Sequence, residues 1–189
     1  MERGFIPPHG GYKKLLSYQK AEIVYDATLF FCDKYIPKAS RTHDQMVQAA
    51  RSGKQNIIEA SMASGTSKES EIKLTNVARA SLEELLADYR DFLRVRNLQE
   101  WPREHRYVAR LRELNQIPEA TYETFKQGIE HTDPEISANV VIGLIRVASY
   151  LLYNQLKKLE EAFLKEGGLR ERMTHARIEE RRKRDSQGE

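Results

Sequence analysis

Residues 44–65 constrain the fold most, because they follow the spacing of an α-helix with one apolar side. Apolar or small residues recur there every three or four positions, which aligns their side chains on one helical face. These residues are Met46, Ala50, Gly53, Ile57 and Ala60. The pattern predicts a helix with one buried face, with Asp44 or Thr42 as its N-cap and Gly65 as its end.

The other two faces of this helix carry different chemistry. One face has short side chains that let another backbone approach, which suits tight helix packing or a subunit contact. We assign this face to Ala49, Ser52, Gly53, Asn56 and Glu59. The third face carries Arg51 and Lys54 between aliphatic residues, so these two cations are candidates for an anionic partner.

Composition favours a single helical domain. With 189 residues the chain is long enough for one core with appendages, and its 10 glycines and 6 prolines are few. The formal net charge of +3 permits nucleic-acid binding without requiring it. The single cysteine, Cys32, excludes an internal disulfide, and its apolar neighbours predict a buried thiol. Neither a signal-peptide run nor about 18 consecutive apolar residues occurs, so we expect a cytoplasmic protein without a membrane segment.

Helical spacing recurs in three further segments. The breaker-rich residues 1–12 predict a flexible lead, and the segments 13–36, 68–97 and 133–166 predict long helices. The short turn between the second and third helices makes these two helices antiparallel neighbours. We therefore predict an all-α fold, an antiparallel up-and-down four-helix bundle over residues 13–166.

Two segments lie outside the four long helices. Residues 98–132 form an insert in which Pro102 and Pro118 bracket a charged stretch, and this pattern predicts two short helices. Residues 167–189 are highly charged with few apolar positions, which predicts a loosely attached helical suffix that adds little to the core.

Arginines of the insert and the suffix give the main functional signal. Arg103, Arg106 and Arg110 are spaced to share one helical side, beside Tyr107, whose ring can stack on a base. The alternative is an ordinary solvated face, neutralised by neighbours such as Glu113. The candidate nucleic-acid-binding residues are Arg51, Lys54, Arg94, Arg96, Arg103, Arg106, Tyr107, Arg110, Arg181, Arg182, Lys183 and Arg184.

No pattern in the sequence is typical of an enzyme. Helical bundles that hold two metal ions use Glu-x-x-His pairs on facing helices, and the chain contains no such pair. Glycine-rich phosphate-binding loops are also missing from the sequence. We therefore expect no metal, no cofactor and no catalytic residue.

Two stretches of the sequence resemble a known family. They are KLLSYQKAEIVYDATLFFCDKYIP and QMVQAARSGKQNIIEASMASGTSKES, which cover the first two predicted helices and the start of the third. They are similar to the bacterial four-helix-bundle proteins first noticed in intervening sequences of 23S ribosomal RNA genes. The family's second-helix motif corresponds here to Gln48, Ala49, Ala50, Ser52, Asn56, Ile57 and Glu59, and Ala60 stands where the family usually has Gly.

The resemblance carries expectations about assembly and partners. The inserted connection and residues 167–173 are similar to the longer variant of the family, in which a suffix follows the fourth helix. Related members are homopentamers, and one branch is the accessory protein of diversity-generating retroelements, which binds a reverse transcriptase and nucleic acid. The resemblance implies no catalytic residues. We expect a non-enzymatic homo-oligomer that binds RNA or single-stranded nucleic acid, or alternatively a structural or protein-interaction module.

Overall fold

The computed structural model describes residues 9–187, without the side chains of residues 166, 172 and 185–187. This part of the chain contains seven α-helices and no strand, which confirms the all-helical class. The helices are α1 (Leu16–Tyr35), α2 (Arg41–Ala63), α3 (Lys68–Val95), α4 (Arg106–Gln116), α5 (Tyr122–Ile129), α6 (Pro134–Glu166) and α7 (Leu169–Gln187). Their number exceeds the four of the predicted bundle, because the insert and the suffix also fold into helices.

Four of the helices supply most of the core. α1 packs on α2, α2 on α3, α3 on α6, and α6 back on α1. Large buried side chains come from each of the four, for example Phe31, Met46, Leu82 and Ile145. α5 packs on α1 and α6, whereas α4 has fewer contacts and buries only Leu111.

The start of α2 differs from the prediction. α2 begins at Arg41, and its N-cap is Ser40, whose hydroxyl accepts a hydrogen bond from the Thr42 N–H at 3.3 Å. Asp44 lies in the first turn of the helix and does not cap it. The reason is that a turn after Pro37 places Ser40 in an extended conformation before the helix, where its side chain reaches the free N–H groups.

The predicted start of α3 and both predicted ends of α6 rest on the expected residues, whereas α1 begins at Leu16, α2 ends at Ala63 before Gly65, and α3 ends at Val95. Ser67 caps α3 by accepting from the Ser70 N–H at 3.1 Å. Asp133 caps α6 by accepting from the Glu135 N–H at 2.8 Å, with Pro134 at the first helical position. α6 ends at Gly167, whose positive φ of 68° suits glycine.

α2 and α3 approach each other closely. The predicted core face of α2 is buried along its whole length, as expected. A Cβ atom added at Gly53 would lie 2.8 Å from Cδ2 of Leu82 in α3. Beside it, the Ser52 and Ser81 hydroxyls are 2.9 Å apart, and the Asn56 amide donates to the Ser52 carbonyl at 2.9 Å. The short side chains therefore line the seam between α2 and α3, and their contact with a second subunit stays a prediction.

Cys32 is buried in α1, as the sequence predicts. Burial, together with the nearby carboxylates of Asp33 and Asp88, raises the pKa of its thiol to about 12. The thiol is therefore protonated at neutral pH and acts as a small apolar core group.

α6 is the most apolar helix of the described chain. An 18-residue window in it has a mean hydropathy of 1.6, so its length and composition would allow it to cross a membrane. Of that window, 61% is buried against the rest of the fold. Such burial is typical of a core helix, and the contacts of α6 with α1 and α3 account for it.

The predicted flexible lead lies only partly within the described residues. Residues 1–8 are outside them. Gly10 donates its N–H to the carbonyl of Ser61 in α2 at 3.0 Å, and the ring of Tyr12 packs edge-on against Tyr18 at 4.9 Å. The end of this segment therefore lies against α1 and α2.

Candidate nucleic-acid interface

Hydrogen bonds fix the segment between α3 and α4 to α6, and two of them are made by Asn139 near the start of that helix. Asn139 accepts the Trp101 N–H at 2.7 Å, and its amide nitrogen donates to the carbonyls of Gln99 at 2.8 Å and Glu135 at 2.9 Å. These bonds hold Trp101 against the core, where its side chain is 7% exposed. The residues that follow Trp101 therefore leave the core from a defined position.

Three aromatic rings pack together at this position, and we call them the aromatic cluster: Trp101, His105 and Tyr107. Trp101 and His105 are stacked, with centroids 4.6 Å apart and planes 16° from parallel. The ring centroid of Tyr107 lies 5.1 Å from that of Trp101 and 5.3 Å from that of His105. His105 is also the N-cap of α4, because its Nδ1 accepts the Tyr107 N–H at 3.3 Å. Tyr107 stays 39% exposed, so its ring is accessible at the edge of the cluster.

Arginines without a carboxylate partner lie close to the aromatic cluster in the chain. The Arg106 guanidinium lies 4.6 Å from the Tyr107 ring centroid and donates to the Tyr107 hydroxyl at 2.9 Å. Arg112 donates to the backbone carbonyl of Arg103 at 3.0 Å, and the Arg103 side chain is exposed. Among the described side chains, no carboxylate lies within ion-pair distance of these three guanidinium groups. Their charges are therefore available to an external anion.

Two other arginines near the connection are neutralised by carboxylates, and a third contacts an aromatic ring. Arg94 pairs with Asp91 at 2.9 Å, and Arg110 pairs with Glu113 at 2.9 Å. Arg96 instead lies over the Phe92 ring at 3.9 Å. The exposed ion pairs match the alternative interpretation of an ordinary solvated surface.

The predicted shared face of Arg103, Arg106 and Arg110 is wrong. α4 begins at Arg106, so Arg103 precedes the helix and does not follow its periodicity. The physical reason is that His105 supplies the cap, which leaves residues 102–105 in a turn. Arg112, which the prediction left out, lies next to the Arg103 backbone instead.

The two cations of α2 are not part of this cluster. Lys54 lies over the Tyr25 ring of α1, 4.0 Å from its centroid. Burial raises the pKa of the nearby Asp26, and the Lys54 charge partly offsets that shift. Arg51 is exposed on α2, a helix that packs on α1 and α3. Among the described contacts, none joins these two cations to the aromatic cluster.

The basic residues of the suffix lie on a separate helix. α7 carries Arg181, Arg182, Lys183 and Arg184, all with exposed side chains. Arg184 lies 3.7 Å from Glu180, and both line a shallow groove with Met173 and Ala176. Within residues 9–187, α7 makes no extensive contact with another helix. The suffix is therefore a second basic surface that the structure does not join to the first.

Four residues around the interface were not predicted as site residues: Trp101, His105, Arg112 and Arg146. A signal for the first two exists in the sequence, since three rings occur within residues 101–107, around the start of a predicted short helix. Arg146 has no such local signal. It lies on α6 and reaches Glu100, which also pairs with Arg90 at 3.1 Å.

Residues 9–187 contain no group of three or more His, Cys, Asp or Glu side chains placed to hold a metal ion. In comparisons with known proteins, the chain matches no family model, no curated protein and no solved structure. Any assignment of function therefore depends on the geometry of the aromatic cluster and its arginines.

Proposed function

We propose that this protein is non-enzymatic and binds RNA or single-stranded nucleic acid through the connection between α3 and α6. The observation that carries the proposal is the exposed ring of Tyr107 beside Arg106, which, like Arg103 and Arg112, has no carboxylate partner among the described residues. Proteins that bind single strands combine this pairing, because cations follow the phosphates and aromatic rings stack on successive bases. The protein would act in the cytoplasm, without a cofactor, as an accessory to a nucleic-acid enzyme.

We also propose that α1, α2, α3 and α6 form an antiparallel up-and-down four-helix bundle, as in the family that the sequence resembles. The closed cycle of contacts among these helices supports it. Two hydrogen bonds support an antiparallel α1 and α6: Ser17 near the start of α1 donates to Gln155, and Tyr35 at its end donates to His131 just before α6. We also propose that the chain belongs to the longer variant of that family.

Self-association is the third part of the proposal, and the resemblance indicates a homopentamer. Exposed apolar side chains on α6 support a subunit contact, since Tyr150 is 64% and Tyr153 is 42% exposed at neighbouring positions of one helical face. Repetition of a weak basic surface around a ring would raise the affinity for a long polyanion. The candidate contact face on α2 comprises Ala49, Ser52 and Asn56, which lie along the α2–α3 seam, where Ser52 and Asn56 stay partly exposed.

Light scattering of the full chain is expected to give a mass about five times the 21.9 kDa of one subunit. The mass should persist on dilution to low micromolar concentrations if the contact is obligate. A monomeric mass at all concentrations would contradict the assembly, and would leave the nucleic-acid interface as a single weak site.

Replacing Tyr107 with alanine is expected to weaken binding of a single-stranded oligonucleotide by about 1 to 3 kcal/mol, the usual contribution of one stacked base. The slope of log K against log salt should stay unchanged, since the ring neutralises no phosphate. The control is Tyr107→Phe, which keeps the ring and removes only the hydroxyl that accepts from Arg106. Equal affinities for the alanine variant and the unchanged protein would show that no base stacks there.

The alternative function is a structural or protein-interaction module. The ion pairs of Arg94 and Arg110 favour it, because they neutralise part of the basic surface. The exposed tyrosines of α6 also fit a protein partner, such as a polymerase. Salt-dependent binding of an oligonucleotide separates the two proposals, because a module without nucleic-acid binding shows none.

A further inference from the structure

A cleft of about 660 Å³ lies between α4 and α6, beside Trp101. Its apolar wall comes from Leu111 on α4 and from Ile142 and Val147 on α6. Leu111 packs into a notch at Gly143, where an added Cβ atom would be 2.1 Å from Cδ2 of Leu111. The volume falls within the range of small-molecule sites, roughly 300 to 1,000 Å³. α4 therefore bridges a space large enough for an organic ligand.

The polar part of the cleft is positively charged. Arg103, Arg112 and Arg146 line it, and its single carboxylate is Glu100. Glu100 is already shared between Arg146 and Arg90. Arg112 is oriented by its bond to the Arg103 carbonyl, which leaves the rest of its guanidinium for another acceptor. An anionic ligand is therefore favoured over a neutral or cationic one.

One buried acceptor in the cleft lacks a hydrogen bond. The amide nitrogen of Asn115 donates to the Leu111 carbonyl at 2.8 Å, but its Oδ1 is buried and has no partner among the described residues. By contrast, both polar atoms of Asn139, which also lines the cleft, are bonded within the chain. Buried acceptors are nearly always paired, so Asn115 points to a donor group on a ligand.

We propose that this cleft binds a single nucleotide. The phosphate lies at Arg103 and Arg112, the base packs against Val147, and a base N–H donates to Asn115 Oδ1 once the Asn115 side chain turns toward the cleft. The inference rests on the proposed function, because a nucleotide of a bound strand supplies this chemistry. A free nucleoside monophosphate supplies it equally. Inorganic phosphate would leave both the apolar wall and the asparagine unused.

Trp101 makes the cleft directly observable, because it lines the cleft and is the only tryptophan of the chain. The full-length protein is titrated with adenosine monophosphate, with adenosine and with inorganic phosphate while tryptophan fluorescence is followed. A saturable change is expected with the nucleotide, with at least about tenfold higher affinity than for either of its parts, because only the nucleotide makes both sets of contacts. No saturable response to the nucleotide overturns the inference.

Two variants test the position of the base. Val147→Phe fills the cleft without removing an arginine, and is expected to weaken nucleotide binding by at least about tenfold. Its matched control is Val77→Phe on α3, since Val77 is exposed and does not line the cleft. Asn115→Leu removes the unpaired acceptor, and should weaken binding of the nucleotide without affecting binding of inorganic phosphate. If Val147→Phe does not fold, the exposed Arg112→Ala replaces it, and unchanged nucleotide affinity there overturns the proposal.

Single-stranded oligoadenylate distinguishes the source of the nucleotide and separates the two proposals. If Val147→Phe weakens binding of the oligonucleotide and of the free nucleotide alike, the cleft holds a nucleotide of the strand. If the nucleotide binds and the strand does not, the cleft is a site for free nucleotides and the proposed function is wrong. If the strand binds with a steep salt dependence while the nucleotide leaves Trp101 unchanged, the proposed function stands and the cleft inference is wrong.

Discussion

Replacing Gly53 with leucine is expected to lower the free energy of unfolding by roughly 1 to 3 kcal/mol, or to prevent assembly. A Cβ atom at this position would lie 2.8 Å from Cδ2 and 3.0 Å from Cγ of Leu82, and 3.6 Å from the backbone oxygen of Ala78. Leu82 is 0% exposed, so its side chain is enclosed by the core and cannot turn out to solvent. α2 and α3 would have to separate, and their seam is one of the main contacts of the core.

Urea unfolding and light scattering measure this effect. The matched control is Gly11→Leu, because a Cβ atom at Gly11 meets no atom within 4 Å. We expect the control to stay within about 0.5 kcal/mol of the unchanged protein, as most surface substitutions do. Equal unfolding midpoints and masses for the two variants would show that α2 and α3 are not closely packed at Gly53.

Local signals were enough to predict both ends of α6. Asp133, Pro134 and Gly167 bound α6 because each acts on backbone groups only a few residues away. The start of α2 was harder, since Ser40 and Asp44 are both good N-caps. The turn formed by the Ser40 N–H and the Pro37 carbonyl, at 2.8 Å, decides between them. The spacing of residues in the sequence does not predict that hydrogen bond.

The candidate site was predictable only where its contacts are local. The Arg110–Glu113 pair follows from a spacing of three on a helix, and the contact of Arg106 with Tyr107 joins chain neighbours. The position of Trp101 depends instead on Asn139, 38 residues away in the sequence. The cleft depends on Leu111 meeting Gly143 across two helices. Long-range packing of this kind has no periodic signature, so the sequence does not reveal it.

Replacing Arg103, Arg106 and Arg112 together with alanine is expected to flatten the salt dependence of oligonucleotide binding. Each phosphate contact to a single strand contributes about −0.7 to the slope of log K against log salt, so losing three contacts should reduce the slope by about 2. The change would lower the affinity most strongly at low salt. These three arginines are chosen because no described carboxylate pairs with them. Each can therefore neutralise a phosphate and release the counterion condensed on it.

The control for this prediction is the double variant of Arg94 and Arg110, which pair with Asp91 and Glu113. Its slope should change less than that of the triple variant, because these charges are already compensated and their removal frees a carboxylate instead. Alanine at Arg181–Arg184 tests the suffix separately, and should leave the unfolding free energy unchanged because α7 contributes little to the core.

A flat salt response of the unchanged protein would make the interaction module the better account. Equal slopes for the triple and double variants would mean that phosphates are bound by some other surface than the aromatic cluster.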